Sequence, residues 1–169
     1  MGDGPNDNRG SRSRKIVLID IENMLFGNHR DAEIERSDRG GQILDLAESR
    51  RRTDHLIVGC NPQLAFVAKE LFPNARIVTG RGKDGADRAL VATIEPSHAA
   101  LRFSELCIVS GDHAFTELAR EARIAGLSVR VVAPHAGLST ALRLQANTSI
   151  LLPESLRAAL REPGSGYAA

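Results

Sequence analysis

Apolar positions along the chain follow two rhythms. Short continuous runs at residues 15–20 (KIVLID), 55–60 (HLIVGC), 75–79 (ARIVT), 107–109 and 129–133 read as strands covered on both faces. Between them the spacing turns helical. Residues 42–52 place Ile43, Leu44, Leu46 and Ala47 on one side and end in Arg50-Arg51-Arg52, which suits the negative end of a helix dipole. Residues 62–72 begin with proline in a favoured first turn, and Pro73-Asn74 stops them. Residues 86–103 read as helical with a break or kink at Pro96. Phe115, Leu118, Ala119, Ala122 and Ile124 form another helical stripe, which Gly126 is placed to end. Residues 140–146 predict a short helix, 149–152 a last strand and 153–161 a last helix.

Residues 21–41 are polar, charged and irregular, long for a loop in a small domain, which points to function or mobility. The alternation of strands and helices predicts one α/β domain over residues 15–161. Its sheet is mainly parallel, with helices on both faces. Residues 1–14 lack apolar periodicity and are expected to be a disordered tail. Residues 162–169, rich in Pro, Gly and Ser, are expected to be a flexible one.

Composition narrows the function. Aromatic residues make up 4% of the chain and Trp is absent, which argues against a platform of stacked rings for nucleic acid. The net charge is +1, so a nucleic-acid contact must come from a local basic patch. Cys60 and Cys107 both sit in apolar runs and read as buried thiols of a reducing compartment. No run is long enough to span a membrane and no signal peptide is evident, so the expected location is cytoplasmic. A homo-oligomer stays open.

Candidate chemistry lies where strands give way to helices. Asp20 ends the first strand, Asp112 follows the run at 107–109, and Asp87 follows the turn Gly80-Arg81-Gly82-Lys83-Asp84-Gly85. Each acid taken alone is as well explained as a turn or helix cap. Together they fall on one rim of a parallel sheet, where repelling carboxylates are usually neutralised by a hard divalent cation. Mg²⁺ or Mn²⁺ there could polarise a phosphate and activate water. Arg81, Lys83 and Arg88 flank Asp87 on the rim where an RNA backbone would lie. Arg50 to Arg52 read as a solvated face. His113, the histidine nearest the acids, reads as an exposed turn residue.

Three blocks carry a resemblance: VLIDIENM (residues 17–24), KDGADRALV (residues 83–91) and IVSGDHAF (residues 108–115). In order and spacing they resemble the NYN domain, a branch of the PIN-like ribonucleases. The resemblance implies a PIN-like, Rossmann-like fold and metal-dependent cleavage of RNA. By motif position it implies Asp20, Asp87 and Asp112 as catalytic metal ligands, with Asn23 and Ser110 supporting them. Two positions depart from the family pattern, Ala114 and Thr93, where many members carry acids. Glu22, Asp84 or Glu117 could compensate. The alternative is a weakly active or inactive PIN-like module that binds RNA or protein. A phosphatase of the haloacid-dehalogenase type fits less well, because Glu22 stands where that chemistry needs a second Asp.

Overall fold

A computed structural model describes residues 14–24, 33–49, 52–134 and 137–152. The expected helix at 153–161, the tail at 162–169, residues 1–13, Arg50 and Arg51 lie outside the described residues. Six parallel strands form one sheet: β1 (Lys15–Asp20), β2 (His55–Cys60), β3 (Arg76–Thr79), β4 (Glu105–Val109), β5 (Ser128–Ala133) and β6 (Thr148–Leu151). Their order is β3-β2-β1-β4-β5-β6. Side chains of β1 alternate between two cores, as a period of two requires. Val17 and Ile19 join the core beneath α1 (Ile21–Met24), α2 (Glu33–Leu46) and α3 (Ala65–Leu71). Ile16 and Leu18 join the core beneath α4 (Gly85–Val91), α5 (Pro96–Ala100), α6 (Thr116–Ile124) and α7 (Thr140–Gln145). Every residue of β1 is buried, and its four central residues, Ile16 to Ile19, are all apolar as a strand covered on both faces requires.

Several expectations shift. The helix expected at 42–52 spans Glu33–Leu46, so much of the expected loop at 21–41 is helical. The Gly40-Gly41 pair does not break α2, because α2 crosses α3 closely there. A Cβ on Gly40 would stand 2.4 Å from the Leu71 carbonyl oxygen, so packing demands the glycine that propensity disfavours. The helix ends before the arginines. Glu48 takes a left-handed φ of 49°, and the Ser49 N–H donates to the Leu44 carbonyl at 2.8 Å. Arg52, expected at a helix end, therefore lies exposed in a turn.

The helix expected at 62–72 opens as a 3-10 turn, Pro62–Leu64, before α3. The one expected at 86–103 is two helices, because Glu95 caps a new start: its carboxylate accepts the Ser97 and His98 N–H groups, and Pro96 takes the first turn. Arg14, expected in the tail, is tied down. Its Nε donates to the Thr53 carbonyl at 3.1 Å, and its guanidinium lies 5.1 Å from the Phe103 ring centre. No described helix is long and apolar enough to cross a membrane.

Candidate functional site

The strand order reverses between β1 and β4. The chain leaves β1 for β2 and β3 on one side and returns to β4 on the other. Such a switch point leaves a crevice beyond the carboxyl ends of the strands. Asp20 closes β1 at that crevice, and Ser110-Gly111-Asp112 follow β4.

Hydrogen bonds lace the two strand ends together. The Asn23 N–H donates to Asp20 Oδ1 at 3.2 Å, and the Ser110 hydroxyl donates to Asp20 Oδ2 at 3.0 Å. Ser110 Oγ in turn accepts the Asp112 N–H at 3.1 Å, and Asn23 Oδ1 accepts the Gly111 N–H at 3.0 Å. Asn23 and Ser110 thus fix Asp20 and the turn that carries Asp112. A third segment closes over this turn: the Ser139 N–H donates to the Gly111 carbonyl at 2.8 Å. A Cβ on Gly111 would stand 2.2 Å from the Gly137 carbonyl oxygen, so only glycine fits.

Asp87 arrives from the first turn of α4, which packs on β2 and β1. It is 9% exposed and Asp20 is 4% exposed, and the charge of Asp87 bears on Asp20. Burial first, then the charge of Asp87, pushes Asp20 up to about 7, against the Asn23 N–H and Ser110 hydroxyl, which favour its ionised form. Burial first, then the charge of Asp112, likewise raises Asp87, with Asp84 and Glu22 adding to it. No described cation pairs with Asp20 or Asp87.

The other candidate acids differ. Asp112 is half-buried; its Oδ1 accepts the Ala114 N–H at 2.8 Å and lies 3.1 Å from His113 Nδ1. Glu22 turns toward β2, its carboxylate accepting the Asn61 N–H at 2.8 Å. Asp84 is exposed at the start of α4 with a left-handed φ of 54° and caps nothing with its side chain. Glu117 is spent on Arg120 of its own helix and does not join the others. Arg81, Lys83 and Arg88 are exposed around Asp87, and His113 is exposed as expected.

Two residues escaped the sequence reading. Asn61 anchors Glu22, and the Asn-Pro step before α3 was its one local signal. Thr116 opens α6, and its hydroxyl is buried without a hydrogen-bond partner among the described residues. Nothing local marks it.

As metal donors, the side chains here are hard oxygens, which suit Mg²⁺ or Mn²⁺ in kind. Among the described residues, no three of His, Cys, Asp and Glu form a ready-made metal cluster. The fit is therefore to an ion held by one or two carboxylates that keeps several waters, as Mg²⁺ does. The thiols do not compete: burial, first of its causes, pushes Cys60 up to about 11 and Cys107 up to about 12.

The family model of the NYN domain matches residues 14–153. Among solved structures, a protein of unknown function from Vibrio parahaemolyticus superposes with a TM-score of 0.58 at 15% identity, over 84% of this chain and 94% of that one. A haloacid dehalogenase-like hydrolase from Streptococcus pneumoniae matches with a TM-score of 0.43 at 12% identity, over 88% of this chain and 98% of that one. No curated protein matches the sequence. The Vibrio likeness bears on fold alone: a single α/β domain with a parallel sheet.

Proposed function

The chain belongs to the NYN domain family, and we propose that it cleaves RNA phosphodiester bonds with Mg²⁺ or Mn²⁺ at the carboxyl rim of its sheet. Family membership supports a PIN-like fold of the nuclease type. The observation that carries the finer reading is the buried Asp20–Asp87 pair, which no described cation neutralises. Burying such a pair without compensation is costly, and divalent cations are what such sites commonly hold.

In this reading Asp20 and Asp87 hold the ion, with Asp112 contributing charge beside them. The bound ion would supply Lewis acidity toward a phosphate and a lowered pKa for attacking water. The chain's own residues do the rest. Ser110 and Asn23 aim both oxygens of Asp20 and keep it from swinging into solvent. Holding an ion there would require both Asp20 and Asp87 in their ionised form, against the burial that raises them. Arg81, Lys83 and Arg88 attract the RNA backbone, and burial keeps bulk water away from Asp20.

A binding module without catalysis is the second reading. Ala114 favours it, because Asp112 must act without a second acid on its own turn. The test is cleavage of labelled single-stranded RNA by wild type and Asp112→Asn, in Mn²⁺, Mg²⁺ and EDTA. The nuclease reading expects cleavage only in wild type with metal, and at least a hundredfold loss in the folded variant. Cleavage that persists in EDTA overturns the metal mechanism. Tight RNA binding without cleavage selects the binding module.

A further inference from the structure

At the rim opposite the acids, three neighbouring helices on one face of the sheet end alike. Leu101-Arg102 follow α5, Arg123-Ile124 close α6, and Arg143-Leu144 lie in the last turn of α7. These ends precede β4, β5 and β6, which lie side by side. Leu101 is 81% exposed, Ile124 73% and Leu144 71%, and all three arginines are exposed. The inward faces of the same helices are already satisfied by Ala99, Leu118, Ala119, Ala122 and Leu142. The three aliphatic side chains are thus surplus to the core. Single exposed aliphatics need no explanation, but three at adjacent helix ends form a patch. Arg123 bridges two of the ends, its NH1 donating to the Leu144 carbonyl at 3.5 Å.

Arginine in a last turn also answers the helix dipole, which explains Arg123 and Arg143 by themselves. It does not explain an exposed aliphatic beside each arginine. Charge narrows what could cover the patch. Glu117 is taken by Arg120, and Glu95, which lines the groove beside Leu101, by the first turn of α5 and His98, leaving Glu121 against Arg102, Arg123 and Arg143. A second copy of the same surface would set like charges face to face, so the complement is acidic. Shape narrows it further. Leu101 and Arg102 also line an open groove of about 800 Å³, floored by Ile57, Ile94 and Phe103 and edged by Arg14 and His55. A surface that sinks into a groove at one end suits an inserted protein segment better than a flat lipid layer.

We infer that this rim docks an acidic amphipathic helix of a partner protein. Packed helices lie about 8–10 Å apart, so the three aliphatics recur at roughly that interval. Seven residues of α-helix rise about 10.5 Å. A helix crossing the three ends therefore matches Leu101, Ile124 and Leu144 with apolar residues at i, i+7 and i+14, and its flanking acids meet the arginines. The docking site leaves the carboxyl rim free.

The probe is a synthetic 18-residue helix with leucines at that spacing and glutamates around them, with a scrambled peptide of the same composition and a lysine analogue as controls. Binding is read by fluorescence anisotropy. The acidic helix is expected to bind at least tenfold tighter than either control, and to weaken as salt rises. Leu101→Ser with Ile124→Ser should weaken it at least tenfold without lowering the melting temperature, since both side chains are exposed. Arg102→Glu with Arg123→Glu should reverse the preference toward the lysine analogue. Equal binding of all three peptides, or no binding, overturns the inference. Tighter binding to phosphatidylserine vesicles that depends on Leu101 and Ile124 overturns it in favour of a membrane. Concentration-dependent dimerisation lost in the Leu101/Ile124 variant overturns it in favour of self-association.

Discussion

Replacing Asp20 with asparagine is expected to make the fold more stable at alkaline pH while removing metal-dependent activity. Asp20 is displaced from 3.8 to about 7 by burial and by the charge of Asp87. At about 1.4 kcal/mol per pH unit, the ionised side chain costs the native state roughly 4 kcal/mol at pH 8. The native pKa lies above the unfolded one. This group's favourable contribution is therefore whole below pH 4 and is lost as pH rises through about 7. Asparagine cannot ionise and escapes the loss. It can accept only one of the two bonds now given by the Asn23 N–H and the Ser110 hydroxyl, at a cost of about 1–2 kcal/mol. The net gain of roughly 2–3 kcal/mol at pH 8 corresponds to about 5–10 °C for a domain of this size. Thermal unfolding in EDTA at pH 5 and pH 8 measures it. At pH 5 the two proteins should melt close together, at pH 8 the variant higher, and Mn²⁺ at pH 8 should raise wild type but not the variant. A variant that melts below wild type at pH 8, or a difference that ignores pH, refutes the buried-charge reasoning.

Arg81→Ala with Lys83→Ala should weaken RNA binding and lower the log–log salt slope by about one unit per lost phosphate contact, read by titration at several salt concentrations in EDTA; an unchanged slope makes both residues plain surface. Gly111→Ala should destabilise the protein by about 1–3 kcal/mol in denaturant unfolding, because the new Cβ meets the Gly137 carbonyl and the loop must shift; a neutral result would show that the loop yields freely. Ser110→Ala should cost about 1–3 kcal/mol, since it takes a donor from Asp20 and an acceptor from the Asp112 N–H. It should also raise the pH at which the protein takes up Mn²⁺, measured by calorimetry, because the hydroxyl favours the ionised Asp20.

What the sequence determined by itself follows from local physics. Runs such as KIVLID are apolar on both faces, so β1 and β2 occur at the expected residues, and the spacing of Phe115 to Ile124 marks α6. Polar stretches were less plainly marked. Residues 21–41 read as an irregular polar loop, yet α2 runs from Glu33 through Gly40 and Gly41, where its approach to Leu71 needs the missing Cβ. Pro96 suggested a break or kink, and the helix does break there, with Glu95 and Pro96 starting the next one. The acids at strand ends and helix starts were visible in the sequence, as was their common rim.

Which of them are buried and which groups bond to them was not, because that depends on strand order. Placing β4 beside β1 sets Ser110 against Asp20 across 90 positions of chain. The packing of α4 on β2 and β1 brings the charge of Asp87 to bear on Asp20. Glu117, equally acidic on paper, turned to Arg120 one helical turn away, where an ion pair needs no tertiary contact. Local pattern thus fixed which residues are strand, helix and candidate acid. Only the fold decided which carboxyls are buried together, and burial is what shifts their protons.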